Sequence, residues 1–295
     1  MEEIINKISN NLLNVRDANP LTHCITNVVT TNDCANAILA VGASPIMADD
    51  ELEIEEIVNI SNTLVINIGK LSTEQIKSFH KGCEIASKTN VPIVLDPVGC
   101  GISNLRNTTT LDIVNNYNIT AIRGNMSEVK AIANLLKIID TTTKSKGVDV
   151  SESDIITKDN LVFNGEIVKK LALKTNSVVI ASGPIDIISD GNLLIAIENG
   201  DSMMEHITGS GCMLSSIVGS FVGANDPLIG SITASLLMSI AGENAREFVD
   251  NNNLGTGSFR ASLIDNLSTL EADEIIEKGN IYLIKWNPKI ILYIL

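Results

Sequence analysis

Short apolar runs rich in Val and Ile alternate along this chain with longer segments of helical periodicity, and this alternation constrains the fold more than any other feature. The predicted strands are residues 21–26, 44–48, 64–68, 93–95, 121–123, 177–181, 186–188 and 193–197. Repeated strand–helix order predicts an α/β fold with a mostly parallel central sheet and helices on both faces. Asp190-Gly191-Asn192 predicts a hairpin between the last two strands, and the last third is mostly helical. Because no linker or repeat interrupts the pattern, we expect residues 1–295 to form a single domain.

Charge, hydropathy and cysteine usage restrict the classes of partner. A net charge of −14 argues against nucleic acid, although a single nucleotide needs only a helix N-terminus and one or two basic side chains. Asn225-Asp226-Pro227 interrupts the longest apolar region, 217–241, which argues against a membrane span. The N-terminus lacks the features of a signal peptide, and five cysteines without a CxxC pair indicate reduced thiols. We therefore expect a cytoplasmic protein with no membrane partner.

The segment Ile207-Thr208-Gly209-Ser210-Gly211-Cys212 directly precedes an apolar helical run, 213–222. Glycines before a helix let backbone N–H groups approach an anion closely, so Gly209, Ser210 and Gly211 form a candidate anion hole for a phosphoryl group in transfer. Cys212 stands at the helix start, where the pKa of a thiol tends to fall, and is a candidate weak base. The alternative is a glycine-rich turn that leads into a packed helix with a buried cysteine.

Three further polar clusters follow predicted strands, at the ends where open α/β sheets bind ligands. Asp96 in 95–99 is either a functional carboxylate or a turn residue that caps the next helix. In 123–128, Arg123 is suited to grip a phosphate. Asn125 and Glu128 share one helix face and either hold Mg²⁺ through waters or form a capping box.

Ser182 in 181–186 either contacts a nucleotide or only forms a turn. The chain contains neither a GxxxxGK[ST] loop nor an early GxGxxG, so both the P-loop and the dinucleotide fingerprint are excluded. Together the clusters and the glycine motif indicate a phosphotransferase without a P-loop.

Taken together, these motifs resemble the hydroxyethylthiazole kinase family over residues 15–270. The resemblance is carried by Asn19-Pro20-Leu21-Thr22-His23-Cys24-Ile25-Thr26-Asn27, Asn32-Asp33-Cys34-Ala35-Asn36, Gly42-Ala43-Ser44-Pro45-Ile46-Met47-Ala48-Asp49, Asp96-Pro97-Val98-Gly99, Arg123-Gly124-Asn125-x-Ser127-Glu128, Thr208-Gly209-Ser210-Gly211-Cys212 and Gly255-x-Gly257-Ser258-Phe259. The long first block makes the resemblance more specific than any single glycine motif.

The resemblance implies a ribokinase-like fold and a homotrimer with sites near the subunit interfaces. It also implies ATP- and Mg²⁺-dependent phosphorylation of 4-methyl-5-(2-hydroxyethyl)thiazole for thiamine salvage and biosynthesis. By position, the resemblance assigns Met47, Asn27 and Gly209 to substrate, Arg123 and Ser182 to ATP, Asp96 and Glu128 to Mg²⁺, and Cys212 to the base position.

Two departures and three rival functions accompany this prediction. Ser182 stands where the family commonly has Thr, and the apolar tail 281–295 does not resemble the family's polar C-terminus. The tail either packs as an extra element or stays exposed. The rivals are an ADP-dependent dehydratase that repairs hydrated nicotinamide cofactors, another small-alcohol kinase of the same fold, and a non-catalytic binding protein. The dehydratase would need an Asp at position 212.

Overall fold

A ten-stranded sheet forms the centre of the molecule in the computed structural model, which describes residues 2–139, 154–284 and 291–293. The strands are β1 (Leu21–Ile25), β2 (Ser44–Ile46), β3 (Thr63–Asn67), β4 (Ile93–Asp96), β5 (Ala121–Asn125), β6 (Val178–Ser182), β7 (Asp186–Ser189), β8 (Leu194–Ile197), β9 (Ile281–Ile284) and β10 (Ile291–Tyr293). Their order across the sheet is β10-β9-β8-β7-β6-β5-β4-β3-β1-β2.

Both faces of the sheet are covered by helices. The helices are α1 (Glu2–Ala18), α2 (Thr31–Ala40), α3 (Ile54–Ile60), α4 (Thr73–Thr89), α5 (Asn104–Asn116), α6 (Met126–Leu135), α7 (Leu161–Thr175), α8 (Ser210–Ala224), α9 (Pro227–Asn251), α10 (Thr256–Thr269) and α11 (Ala272–Lys278), with a short 3-10 helix at Ser202–His206. One core packs under α1, α2 and α8–α11, and a second core packs under α3–α7.

The part of the sheet from β2 to β6 is parallel, as the strand–helix alternation predicts. From β6 to β10 the strands are antiparallel, and the predicted hairpin joins β7 to β8. Alternate residues of each strand fill opposite cores. In β3, Val65 faces the α8 core, whereas Leu64 and Ile66 face the α4 core. The prediction of a single, mostly parallel α/β domain is confirmed.

Helix α8 packs unusually close to the sheet. A Cβ added at Gly219 would lie 2.4 Å from Cγ2 of Val65, so only glycine allows this approach. Beside this contact, the hydroxyl groups of Thr22 and Ser220 share a hydrogen bond of 2.9 Å. The N-terminus of α8 is thereby held over the carboxyl ends of β1, β3 and β4.

The apolar tail contributes an extra element to the sheet. Strand β9 pairs antiparallel with β8, and Ile281 and Tyr282 are buried there. β10 continues the sheet beyond β9. Trp286-Asn287-Pro288 and the last two residues of the tail lie outside the described residues. None of the helices in the described ranges has both the length and the apolar character that a bilayer crossing requires.

Candidate active site

The carboxyl ends of the parallel strands bring the predicted site residues to one edge of the sheet, because parallel strands end at the same edge. Asn27 follows β1, Asp96 ends β4, Arg123 lies in β5 and Ser182 ends β6. The N-terminus of α8 faces them, since Ser215 of its second turn donates to Asp96. Residues that are far apart in sequence thus meet within one cluster.

The two glycines of the glycine motif are required for different reasons. Gly209 caps α8 with a left-handed φ of +88°, and a Cβ there would lie 2.6 Å from Cγ2 of Thr30. At Gly211, a Cβ would lie 2.6 Å from Nη1 of Arg123. The Arg123 guanidinium is therefore seated directly against the first turn of α8, and its Nε donates to Oγ of Ser182 at 3.1 Å.

Asp96 is a buried carboxylate with one engaged and one unengaged oxygen. Its Oδ2 accepts hydrogen bonds from Asn67 Nδ2 and Ser215 Oγ, each 2.7 Å long. Its Oδ1 is buried and has no hydrogen-bond partner within the described part of the chain. Burial raises the pKa of Asp96 above its ordinary value, and the positive charge of Arg123 opposes this rise.

Glu128 forms the predicted capping box at the start of α6. Its Oε2 accepts from the backbone N–H of Asn125 at 2.8 Å, while the Asn125 side chain accepts from the backbone N–H of Glu128 at 2.9 Å. Its Oε1 also accepts from the backbone N–H of Gly99 at 2.7 Å. Burial and the nearby charge of Asp96 raise the pKa of Glu128 to about 7. The carboxyl group therefore joins the loop after β4 to the start of α6.

The donor set at this edge suits a magnesium ion bound with substrate phosphates. Among the described residues, no three His, Cys, Asp or Glu side chains lie close enough together to hold a metal on their own. Mg²⁺ usually takes only one or two protein carboxylates and completes its coordination with waters and phosphate oxygens. The buried, unpaired Oδ1 of Asp96, with Glu128 near it, fits that requirement.

Cys212 lies in the first turn of α8, and two side-chain amides surround its sulfur. Nδ2 of Asn67 donates to Sγ at 3.2 Å, and Nδ2 of Asn27 donates to it at 3.5 Å. Burial, with the negative charge of Asp96, raises the pKa of Cys212 to about 11. The prediction of a lowered pKa at the helix start is wrong, because desolvation outweighs the helix dipole here.

A cavity of about 670 Å³ opens beside this cluster. Cys24, Thr26 and Met47 contribute to its wall, and its rim carries charged residues of 49–51 and 70–77. Met47 lies at the cavity, as the substrate assignment requires. The side chain of Asn27 faces the Cys212 sulfur, while its neighbours Thr26 and Val28 line the cavity.

Sequence reasoning gave no role to Asn67 or to Asp186, although Asp186 is the last residue of the polar cluster 181–186. Asn67 lies inside the predicted strand 64–68, where a lone amide in an apolar run gives no sequence signal of a functional role. Asp186 begins β7, and its Oδ1 accepts from the backbone N–H of Gly183 at 3.0 Å. Burial raises the pKa of Asp186 to about 6, although the positive charge of Arg123 acts to lower it. Asp186 thus shapes the turn that carries Ser182.

Comparisons with known proteins agree with this arrangement. The profile of the Hydroxyethylthiazole kinase family matches residues 12–273. A hydroxyethylthiazole kinase of Methanobrevibacter smithii is 58% identical over 283 residues, which cover 96% of this chain and 99% of the relative. A solved structure of a hydroxyethylthiazole kinase from Pyrococcus horikoshii OT3 superposes with a TM-score of 0.81 at 30% identity, covering 97% of this chain and 100% of the other.

More distant structures share the fold alone. A ribokinase-like superfamily protein from Enterococcus faecalis V583 superposes with a TM-score of 0.56 at 12% identity, over 85% of this chain and 87% of the other. The fold is thus the ribokinase-like one that the resemblance implies. The family profile and the identity to curated relatives, together with the site at the strand ends, place this chain in the hydroxyethylthiazole kinase family.

Proposed function

We propose that this protein transfers the γ-phosphoryl group of ATP to the hydroxyl of 4-methyl-5-(2-hydroxyethyl)thiazole, producing the thiazole phosphate for thiamine salvage and biosynthesis. The observation that carries the proposal is the contact between Arg123 and Gly211, because it sets a cation against the N-terminus of α8. The Arg123 charge also acts on the buried carboxylate Asp96, and the cavity at Met47 is lined by Thr26 and Val28, the neighbours of Asn27.

The phosphoryl group would be stabilised by charge and by backbone donors. The first N–H groups of a helix have no partner within the helix, so those of Ser210, Gly211 and Cys212 suit an anion. Arg123 and Ser182, joined by their hydrogen bond, would hold the ATP phosphates beside them. Because phosphoryl transfer passes through a loose transition state, such positioning and charge stabilisation supply most of the catalysis.

The alcohol would enter from the cavity, with its ring against Met47 and its hydroxyl directed at Gly209 and Cys212. Asn27, which the resemblance also assigns to substrate, would lie beside the hydroxyl, because its side chain donates a hydrogen bond to the Cys212 sulfur. With a pKa of about 11, the Cys212 thiol is protonated near neutral pH. Only its thiolate form could take the alcohol proton, so as the proposed base Cys212 would first lose its own proton to solvent. A loose transition state, in which proton removal matters little, permits such a weak base.

Mg²⁺ is the proposed cofactor. Asp96 and Glu128 would hold it, and when bound it neutralises charge on the phosphate oxygens. The negative charge of Asp96 raises the pKa of Glu128, so a cation bound at this edge would favour the ionised form of Glu128.

The assembly and compartment are also proposals. A homotrimer with sites near the subunit interfaces is supported by the apolar side chains that stay exposed at and beside the cavity, Val28, Val29 and Leu52. A cytoplasmic location is supported by five cysteines that are all free thiols. Light scattering coupled to size-exclusion chromatography measures the first, and localisation of a tagged chain in its host measures the second.

A coupled assay of ADP release with the thiazole alcohol, ATP and Mg²⁺ tests the proposed reaction. We expect one ADP for each thiazole phosphate found by mass spectrometry. Binding of the alcohol without ADP release would favour the non-catalytic rival. Activity that depends on ADP and hydrated NADH would favour the dehydratase. The matched variant is Arg123→Met, which keeps the bulk of the side chain, removes its charge and should raise the KM for ATP.

A further inference from the structure

Asn67 occupies the centre of the cluster and is 1% exposed at the carboxyl end of β3. Its carboxamide makes four hydrogen bonds. Oδ1 accepts from the backbone N–H of Gly69 at 2.9 Å and from Asn27 Nδ2 at 3.1 Å. Nδ2 donates to Asp96 Oδ2 at 2.7 Å and to Cys212 Sγ at 3.2 Å. A carboxamide has two N–H donors and an oxygen with two lone pairs, so its capacity is fully used.

Backbone groups fix the direction of these bonds. The N–H of Gly69 can only donate, so the atom that faces it must be the oxygen of Asn67. The N–H of Val29 donates to Oδ1 of Asn27 at 3.1 Å and fixes that amide in the same way. Both amides therefore present N–H groups to the Cys212 sulfur, and the sulfur is held as an acceptor.

The same carboxamide determines which oxygen of Asp96 remains available. With Oδ2 occupied by Asn67 and Ser215, the buried Oδ1 is the atom left without a partner among the residues that the structure describes. A side chain at position 67 that could not donate would leave Oδ2 half satisfied and free the carboxylate to rotate.

We propose that Asn67 is a positioning residue of the phosphoryl-transfer site, whose single carboxamide orients the Asp96 carboxylate and holds the Cys212 sulfur as a hydrogen-bond acceptor. This positioning role extends the proposed kinase function, and only the expected effect on turnover depends on that function. The hydrogen bonds to the sulfur stabilise its negative form, because charge-assisted N–H donors favour an anion.

Two variants and one control test the proposal. Asn67→Asp is nearly isosteric and keeps an oxygen for Gly69 and Asn27, but it replaces the donor with a second oxygen. Asn67→Ala removes both the N–H donors and the oxygen acceptor of the carboxamide. The control is Asn164→Ala, since Asn164 is an equally buried amide in α7, on the face of the sheet opposite α8.

The first readout is alkylation of Cys212 by iodoacetamide at pH 8, located by peptide mass spectrometry. The other four cysteines are at most 1% exposed, so Cys212 is the accessible thiol. Because iodoacetamide reacts with the thiolate, loss of the donor should slow alkylation about tenfold, the effect of one pKa unit. A merely structural defect would open the site and speed alkylation.

The second readout is steady-state kinetics with the thiazole alcohol and ATP. Both Asn67 variants should lower kcat about 10- to 100-fold, as expected for lost bonds to charged groups, with each KM changed less than about threefold. The Asn164 control should change neither readout. Unchanged or faster alkylation in both variants, or a kcat within threefold of the parent protein, overturns the proposal. If the parent protein does not phosphorylate the alcohol, the proposed function fails, and alkylation alone decides whether Asn67 controls the sulfur.

Discussion

Replacement of Glu128 by glutamine separates the two roles that its position allows. The carboxyl group accepts backbone N–H bonds from Gly99 and Asn125, and its pKa rises from 4.5 to about 7 in the folded protein. A glutamine keeps the shape but offers one acceptor oxygen, so one of these N–H groups faces an amide nitrogen. At pH 5 we expect the Glu128→Gln variant to be less stable by about 1 kcal/mol, the usual cost of a lost cap.

The pH dependence of this difference follows from the direction of the shift. A carboxyl group whose folded pKa is raised binds its proton more tightly in the folded state, so it stabilises the protein least at high pH. From pH 4.5 to above pH 7, Glu128 should remove about 3 kcal/mol from the stability of the parent protein. The glutamine of the variant does not titrate. The stability of the variant relative to the parent should therefore rise by nearly this amount between pH 5 and pH 8, measured by urea unfolding.

Activity decides whether Glu128 also serves the metal. If it does, Glu128→Gln should lower turnover per folded molecule by about 10- to 100-fold and raise the Mg²⁺ concentration for half-maximal rate. Asp226→Asn is the control, because Asp226 caps α9 through the N–H groups of Leu228 and Ile229, on a different helix from the site. Unaltered turnover and Mg²⁺ dependence in the Glu128 variant would refute the metal role, and an absence of the pH effect would refute the raised pKa.

Substitutions at three further positions probe the start of α8. Cys212→Ala should lower kcat by less than about 100-fold, because a base contributes little to a loose transition state, and Cys212→Asp should stay active. An inactive Cys212→Asp variant together with a fully active Cys212→Ala variant would show that the sulfur only packs. Gly211→Ala should displace the Arg123 guanidinium and raise the KM for ATP about tenfold at nearly unchanged stability, whereas Gly257→Ala, whose Cβ would meet open space, should change neither. Gly209→Ala should cost about 1–2 kcal/mol or more in thermal unfolding, since its φ is +88° and its Cβ would contact a methyl group 2.6 Å away. A Gly209 variant of parental stability would contradict the strain assigned to that position.

Much of the fold follows from local patterns in the sequence. The parallel strands β1–β6 were predictable because each is a short apolar run between helical segments, and the Asp190-Gly191-Asn192 turn predicted the β7–β8 hairpin. The antiparallel edge of the sheet that includes β9 was less predictable. Ile281–Ile284 pairs with β8, which precedes it by more than eighty residues, and such long-range pairing leaves no local signal in the sequence of the tail.

The location of a candidate site residue was predictable where it stands at a strand end or a helix start. Asp96, Arg123 and Cys212 were proposed in this way, and the structure brings them to one edge of the sheet. The direction of the Cys212 pKa was not predictable, because it depends on desolvation and on Asp96, which arrives from another strand. Asn67 escaped notice because an amide inside an apolar run is indistinguishable by sequence from a buried structural residue.

The close approach of α8 to the sheet at Gly219 carries a consequence for engineering. The sulfur of Cys212 lies seven residues before Gly219 on the same helix, and its 3.2 Å contact with Asn67 tolerates little displacement. The methyl group added by Gly219→Ala would clash with Val65 and push α8 away from β3. Because α8 is one continuous helix, its first turn would be displaced as well. Gly219 therefore determines how accurately the first turn of α8 is positioned, and any library aimed at activity should leave it fixed.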